Sequence, residues 1–156
     1  MPLSSSIVTR LQHQHRSIRE LIGKLPDEVL RRTIIPGKWS AHAHIAHLAA
    51  YQPVFIDRLD RIDRESSPVF GRYVAEEDPL FPAYLERSAG SLLDSIDTDR
   101  GRILSFLEQR GEPLLAKTAT HQRFGLLTVT DWTEFFLLHE AHHLYTLFAL
   151  VRSPNQ

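Results

Sequence analysis

Apolar residues recur every three to four positions along four long stretches of this sequence, and that period is satisfied by packed amphipathic helices and by little else. In the first stretch, about Ser4 to Lys24, the residues Ile7, Leu11, Ile18, Leu21 and Ile22 share one face, with Leu25 just beyond. Pro26 and Asp27 end it, and the connector to Trp39 carries the turn signal Pro36-Gly37. The second stretch starts at Ser40, a favourable N-cap, and runs towards Arg64, with a kink or break expected at Pro53. The third, about Ala83 to Gln109, has the stripe Leu85, Ala89, Leu92, Ile96, Ile103 and Leu107, and Gly111 follows as a stop. The fourth begins near Thr130 or Asp131, either able to cap it, and continues to about Val151.

Between these stretches, Ser66 to Pro82 is broken by Pro68, Gly71, Pro79 and Pro82 and reads as irregular, with a short helix near Val69 to Glu76. A second connector spans Glu112 to Val129, and Ser153 to Gln156 read as a frayed tail. No segment reads as a convincing strand, and no internal repeat is present. The expected fold is all-α, a four-helix bundle, with residues 1–156 as one domain. Val69, Phe70 and Phe81 are read as apolar surface left over in the long connector, which suggests a homodimer.

Composition narrows the function. With 42% hydrophobic and 24% charged residues the chain can build a core and is not disordered. The formal net charge is −1 and no long basic run appears, so nucleic acid is not an expected partner. Met1 to Arg10 lack the pattern of a secretory signal, and no apolar run approaches the roughly 20 residues that span a bilayer. A cytoplasmic protein acting on a small molecule, without a membrane partner, is the expectation. The chain has no cysteine, so disulfides, thiolate nucleophiles and Cys-based zinc sites are excluded together. Any metal site must use His, Asp, Glu or water.

Nine histidines stand against one methionine, and their positions decide whether they matter. On a wheel of the fourth helix with Trp132 at zero, His139 falls about 20° to one side and His143 about 20° to the other. Phe136, Leu147 and Leu150 lie within roughly 60° of the same line. Two histidines therefore sit at the centre of an apolar stripe, where an unpartnered imidazole is costly. On the second helix Tyr51, Val54 and Arg58 lie within about 40° of His47, with Ala43 and Ala50 beside it, so His47 also points inward. His44 is about 60° away and His42 faces outward. A pair at i and i+4 presents two imidazoles on consecutive turns, and a third from a neighbouring helix completes a three-nitrogen set with an open position, as catalytic zinc sites have. Each histidine on its own also fits a hydrogen-bonded core residue.

Other patterns compete. His139-Glu140-Ala141-His142-His143 satisfies the H-E-x-x-H zinc-protease pattern literally, but Glu140 lies about 80° off the stripe and reads as a marginal or solvent-facing side chain. There is no G-x-S-x-G elbow and no phosphate-binding glycine loop. His121 can line a pocket or be an ordinary loop histidine. Arg58 can hold an anionic group or extend out at the bundle end. Tyr51 can donate to a bound ligand or simply pack, and Phe136 shares the His139 face. His13, His15 and His42 read as surface or boundary residues.

Gly37-Lys38-Trp39-Ser40, followed by His47-Leu48, resembles the second-helix signature of the DinB-like superfamily. Phe124 to Trp132, followed by His139 to His143, resembles that family's lead-in to the last helix and its HxxxH pair. The resemblance implies a four-helix bundle binding a divalent metal, often zinc or nickel, through His47, His139 and His143. It implies a metal-dependent hydrolase or a thiol transferase using a low-molecular-weight thiol. One departure is Ala43, where family members often carry an acidic residue that would complete a capping box from Ser40. The alternative from another functional class is a non-catalytic metal- or ligand-binding helical module.

Overall fold

A computed structural model describes residues 2–153. The first amphipathic stretch forms α1 (Ser5–His13) and α2 (Ser17–Ile22), with one 3₁₀ turn (Gln14–Arg16) between them rather than a continuous helix. Ser4 caps α1 by accepting from the Ile7 amide, and Gly23, at φ +54°, closes α2. After the short α3 (Asp27–Leu30) comes α4 (Ala41–Arg64), which Ser40 caps by accepting from the Ala43 amide. This helix passes through Pro53 without a break, because Phe55, Leu59 and Ile62 beyond it are held in the core. The third stretch begins as α5 (Phe81–Glu86), turns at Arg87 and Ser88, and continues as α6 (Ala89–Leu115). The expected stop at Gly111 is a kink at φ +59°, after which the chain makes one more helical turn. The last helix, α7, runs Val129–Val151. Its cap is Thr128, not Thr130 or Asp131, and Asp131 returns the bond to the Thr128 amide in a capping box.

Paired α1 and α2 form one rod of the bundle, and α4, α6 and α7 form the other three, so the four-helix bundle expected from the sequence is the fold. The absence of strands was not. A small sheet of order β1-β2-β3 comprises β1 (Val69–Phe70), β2 (Thr118–His121) and β3 (Gly125–Thr128). The β2–β3 hairpin pairs His121 with Gly125 across a three-residue loop, with Gly125 at φ +78° as that loop requires. Strand β1 adds in parallel, opposing Phe70 to His121. It stands where a short helix was expected, and that region's helical content is one 3₁₀ turn, Ala75–Glu77. Strand β1 has two residues, and β2 alternates half-buried threonines with the buried Ala119 and His121, a pattern with no apolar period in the sequence.

Phe70 and Phe81 are buried and belong to the core; of the three residues expected to form apolar surface, only Val69 is exposed. The expected tail beyond Ser153 lies outside the described residues. Among the described residues no helix is long and apolar enough to cross a membrane.

The core divides into two apolar clusters, one at each end of the bundle. Along each rod a buried polar position marks the division. His15 lies between Leu11 and Ile18, Gln52 between Leu48 and Phe55, Arg100 between Ile96 and Ile103, and Glu140 and His143 between Leu137 and Leu147. A polar layer crosses the bundle at mid-height, and the histidines lie in it.

Candidate metal centre

His139 and His143 stand on consecutive turns of α7 and face His47 on α4. One nitrogen from each of the three can be chosen so that all lie within 4.8 Å of one another. His47 Nε2 and His139 Nε2 approach to 2.9 Å, and the His47 and His143 ring centroids are 4.5 Å apart. Burial is the first cause that lowers all three imidazoles to a pKa of about 3, with neighbouring imidazoles the next. They are neutral at physiological pH, as metal ligands must be.

The donor set fits a cation. The facing Nε2 atoms of His47 and His139 can share one proton, and Nδ1 of both rings is buried without a protein partner whichever species lies between the Nε2 atoms. A shared ion would instead take both Nε2 lone pairs. Two nitrogens at about 2.0–2.1 Å from one tetrahedral ion stand about 3.3 Å apart, near the separation here. His143 has its Nδ1 engaged by His44 Nδ1 at 2.8 Å, which leaves its Nε2 for the ion. His44 is thus an orienting partner of His143, a role that residues behind a metal ligand commonly fill.

Aromatic rings hold this cluster in place. The Trp39 ring lies 5.2 Å from His47 and 6.5 Å from His143, and the Tyr73 ring stacks 5.6 Å from His47. Neither was singled out as a site residue from sequence. Trp39 was visible within Gly37-Lys38-Trp39-Ser40, whereas Tyr73 lies in an irregular segment that carries no period. Tyr51 places its ring 4.6 Å from His139 and accepts from Arg58 through its hydroxyl. Phe136 stacks on Phe55 at 4.3 Å, inside the apolar core beneath Tyr51 and away from the cavity wall. The cavity beside the histidines has a volume of about 650 Å³, and Tyr51, Arg58, His121, Arg72, Tyr73 and Arg123 line it together with the three histidines.

Three side chains lie deeper than the sequence suggested. His42 is buried with its Nε2 on the Arg87 carbonyl at 2.8 Å, and His15 is buried against Asp97 at 3.2 Å. Glu140, read as marginal, is 1% exposed. Its carboxylate accepts from Arg100, equally buried, and from Gln14 at 3.0 Å. Burial pushes the Glu140 carboxyl up and the Arg100 guanidinium down, against their mutual attraction. Adjacent helical positions diverge by about 100°, so Glu140 faces the Gln14–Arg16 turn and α6 while His139 faces α4. With both carboxylate oxygens engaged there, Glu140 is not the general base that the H-E-x-x-H pattern requires.

Three neutral imidazoles gathered at one cavity wall of a helical bundle form a set that could hold a divalent metal ion. The chain belongs to the DinB superfamily, whose sequence profile matches residues 10–147. Among solved structures it is similar to YfiT from Bacillus subtilis, described as a probable metal-dependent hydrolase with an unusual four-helix bundle topology. The identity is 16%, the TM-score 0.78, and the match covers 94% of this chain and 85% of that one. It is also similar to an uncharacterized protein from Clostridium difficile 630, at 9% identity and a TM-score of 0.65, over 94% of this chain and 91% of that one. No curated protein matches the sequence.

Proposed function

We propose that this protein is a divalent-metal-dependent hydrolase of small molecules, with His47, His139 and His143 as the ligands and zinc or nickel as the ion. The observation that carries this reading is the gathering of three neutral imidazole nitrogens within 4.8 Å at the wall of a cavity of about 650 Å³. A bound divalent ion supplies Lewis acidity, bringing the pKa of water towards neutrality. The protein's own part is to hold the rings. His44 orients His143, Trp39 and Tyr73 pack His47 from two sides, and Tyr51 closes the floor beside His139.

One observation favours a thiol transferase as the second reading. None of the described carboxylates hydrogen-bonds to the three histidines. A low-molecular-weight thiol, with a pKa of about 8.5, needs far less help to ionise than water does.

The test is to load the protein with zinc or nickel and assay one panel of esters and amides and one of electrophiles offered with a small thiol. Turnover in either panel that scales with bound metal and vanishes in His47→Ala and His143→Ala supports the enzyme reading. Metal bound stoichiometrically with no turnover in either panel favours the non-catalytic binding module.

A further inference from the structure

Arg58 is a buried cation without an anion. It is 7% exposed, and no carboxylate of the described residues lies within the 4.0 Å of an ion pair. Its guanidinium donates to the Tyr51 hydroxyl at 3.1 Å and to the Gly71 carbonyl at 2.8 Å. Those bonds satisfy two of its five N–H groups and none of its charge. The Trp132 and Phe70 rings, each 5.4 Å from Cζ, offset part of the desolvation and do not neutralise it. A charge held this way is expected to have its counter-ion supplied from outside the chain.

His121 shares the place. It is 4% exposed, its ring lies 5.3 Å from Trp132, and it lines the same cavity as Arg58. Its Nδ1 accepts from the Arg123 and Phe124 amides at 3.0 and 3.3 Å, which assigns the proton to Nε2. That Nε2–H has no partner among the described residues. The hairpin therefore presents a donor of fixed tautomer to a cavity that already has a bare cation. Arg72 and Arg123 line it as well, neither in an ion pair with a described residue, against a single acid among the described lining residues, Glu76.

We propose that this cavity takes a carboxylate-bearing small molecule, its carboxylate received by the Arg58 guanidinium and the His121 Nε2–H, with the remainder of the molecule reaching the three histidines. The proposal rests on the hydrolase or transferase reading for what happens at the histidines, and stands on Arg58 and His121 for what is held. A planar guanidinium matches a carboxylate in shape. A singly charged group loses less hydration against Trp132 and Phe70 than a phosphate dianion would.

The probe is glutarate, titrated calorimetrically into metal-loaded and chelator-treated protein, with glutaramide and inorganic phosphate as controls. The same titration is followed by the nitrogen-15 signals of the His121 ring. Millimolar or tighter binding of glutarate to both forms is expected, with the His121 Nε2–H signal shifting and glutaramide silent. Affinity should fall about tenfold or more in Arg58→Gln and in His121→Phe, as loss of a charge-assisted hydrogen bond implies. Arg58→Lys, which keeps the buried charge, should retain part of the affinity and controls for folding. Phosphate binding more tightly than glutarate with the same shift overturns the carboxylate assignment. Glutarate bound only by metal-loaded protein and lost in His143→Ala places the anion on the metal and overturns the proposal while leaving the metal reading intact. Glutarate binding to a protein that takes up no metal would instead sustain the subsite and refute the enzyme reading.

Discussion

Replacing Glu140 by Gln should cost more stability than its distance from any substrate suggests. The carboxylate accepts from Arg100 on one oxygen and from the Gln14 amide on the other, and both charged partners are 1% exposed. An amide in its place has one oxygen and one NH₂ group. Whichever way it turns, the NH₂ meets a donor, either the Arg100 guanidinium or Gln14 Nε2. Arg100 keeps its bonds to the Leu11 carbonyl at 3.3 Å and to Gln52 at 3.5 Å, but its charge is left uncompensated in the core. Breaking one side of a buried ion pair costs about 3–5 kcal/mol. Against a total of about 5–15 kcal/mol for a domain, that is more than half of the stability at the low end of the range. The double variant Glu140→Leu with Arg100→Met should recover to within about 2 kcal/mol of wild type, since no buried charge remains. Urea unfolding followed by circular dichroism, in chelator so that metal linkage does not intrude, measures both. A loss below about 1 kcal/mol for Glu140→Gln, at unchanged m-value, would refute the reasoning that this pair is desolvated and mutually dependent.

Two further expectations follow from the histidines. Burial holds His47, His139 and His143 at a pKa of about 3 in the folded chain, against 6.5 as the ordinary value. The unfolded chain therefore binds more protons between those limits, so the stability of metal-free protein is complete above about pH 6.5 and declines as pH falls towards 3. The slope is at most about 4 kcal/mol per pH unit for three groups, and less where they couple. Urea midpoints that do not change between about pH 7 and pH 5 would contradict it. His44→Ala should leave folding intact and weaken zinc affinity about 10–100-fold, because His143 loses the partner on its Nδ1. Competition against a colorimetric chelator reads this directly, and unchanged affinity removes His44 from the site.

Much of this architecture is legible in the sequence, and what is not has physical reasons. Regular 3.6-residue periods placed α4 and α7 and turned His47, His139 and His143 to the interior, because a helix wheel needs only spacing. The wheel fails where a charged residue is buried by a partner on another rod. Glu140 and Arg100 look like solvent residues until the pair is assembled across α6 and α7. His42 is similar, since the Arg87 carbonyl that satisfies it comes from the turn between α5 and α6. The sheet was illegible because β1 has two residues and its pairing with β2 spans about fifty positions of chain. The cap of α7 was displaced by two residues because Thr128 and Thr130 are chemically alike, and only the reciprocal bond with Asp131 distinguishes them. His121 reads from sequence as either a pocket residue or a loop histidine, and only the hairpin shows that it lines the cavity with its Nδ1 occupied.

Whether the three histidines hold an ion decides the chemistry of this site. The most direct measurement is metal content by mass spectrometry on protein purified without an affinity tag or added metal, beside His47→Ala and His143→Ala. The result expected is about one equivalent of a divalent ion in the wild-type chain and loss of it in both variants, as a single three-nitrogen site requires. Metal absent from all three proteins, with no affinity for added zinc or nickel, would contradict it and leave a bundle crossed by a buried layer of hydrogen-bonded imidazoles.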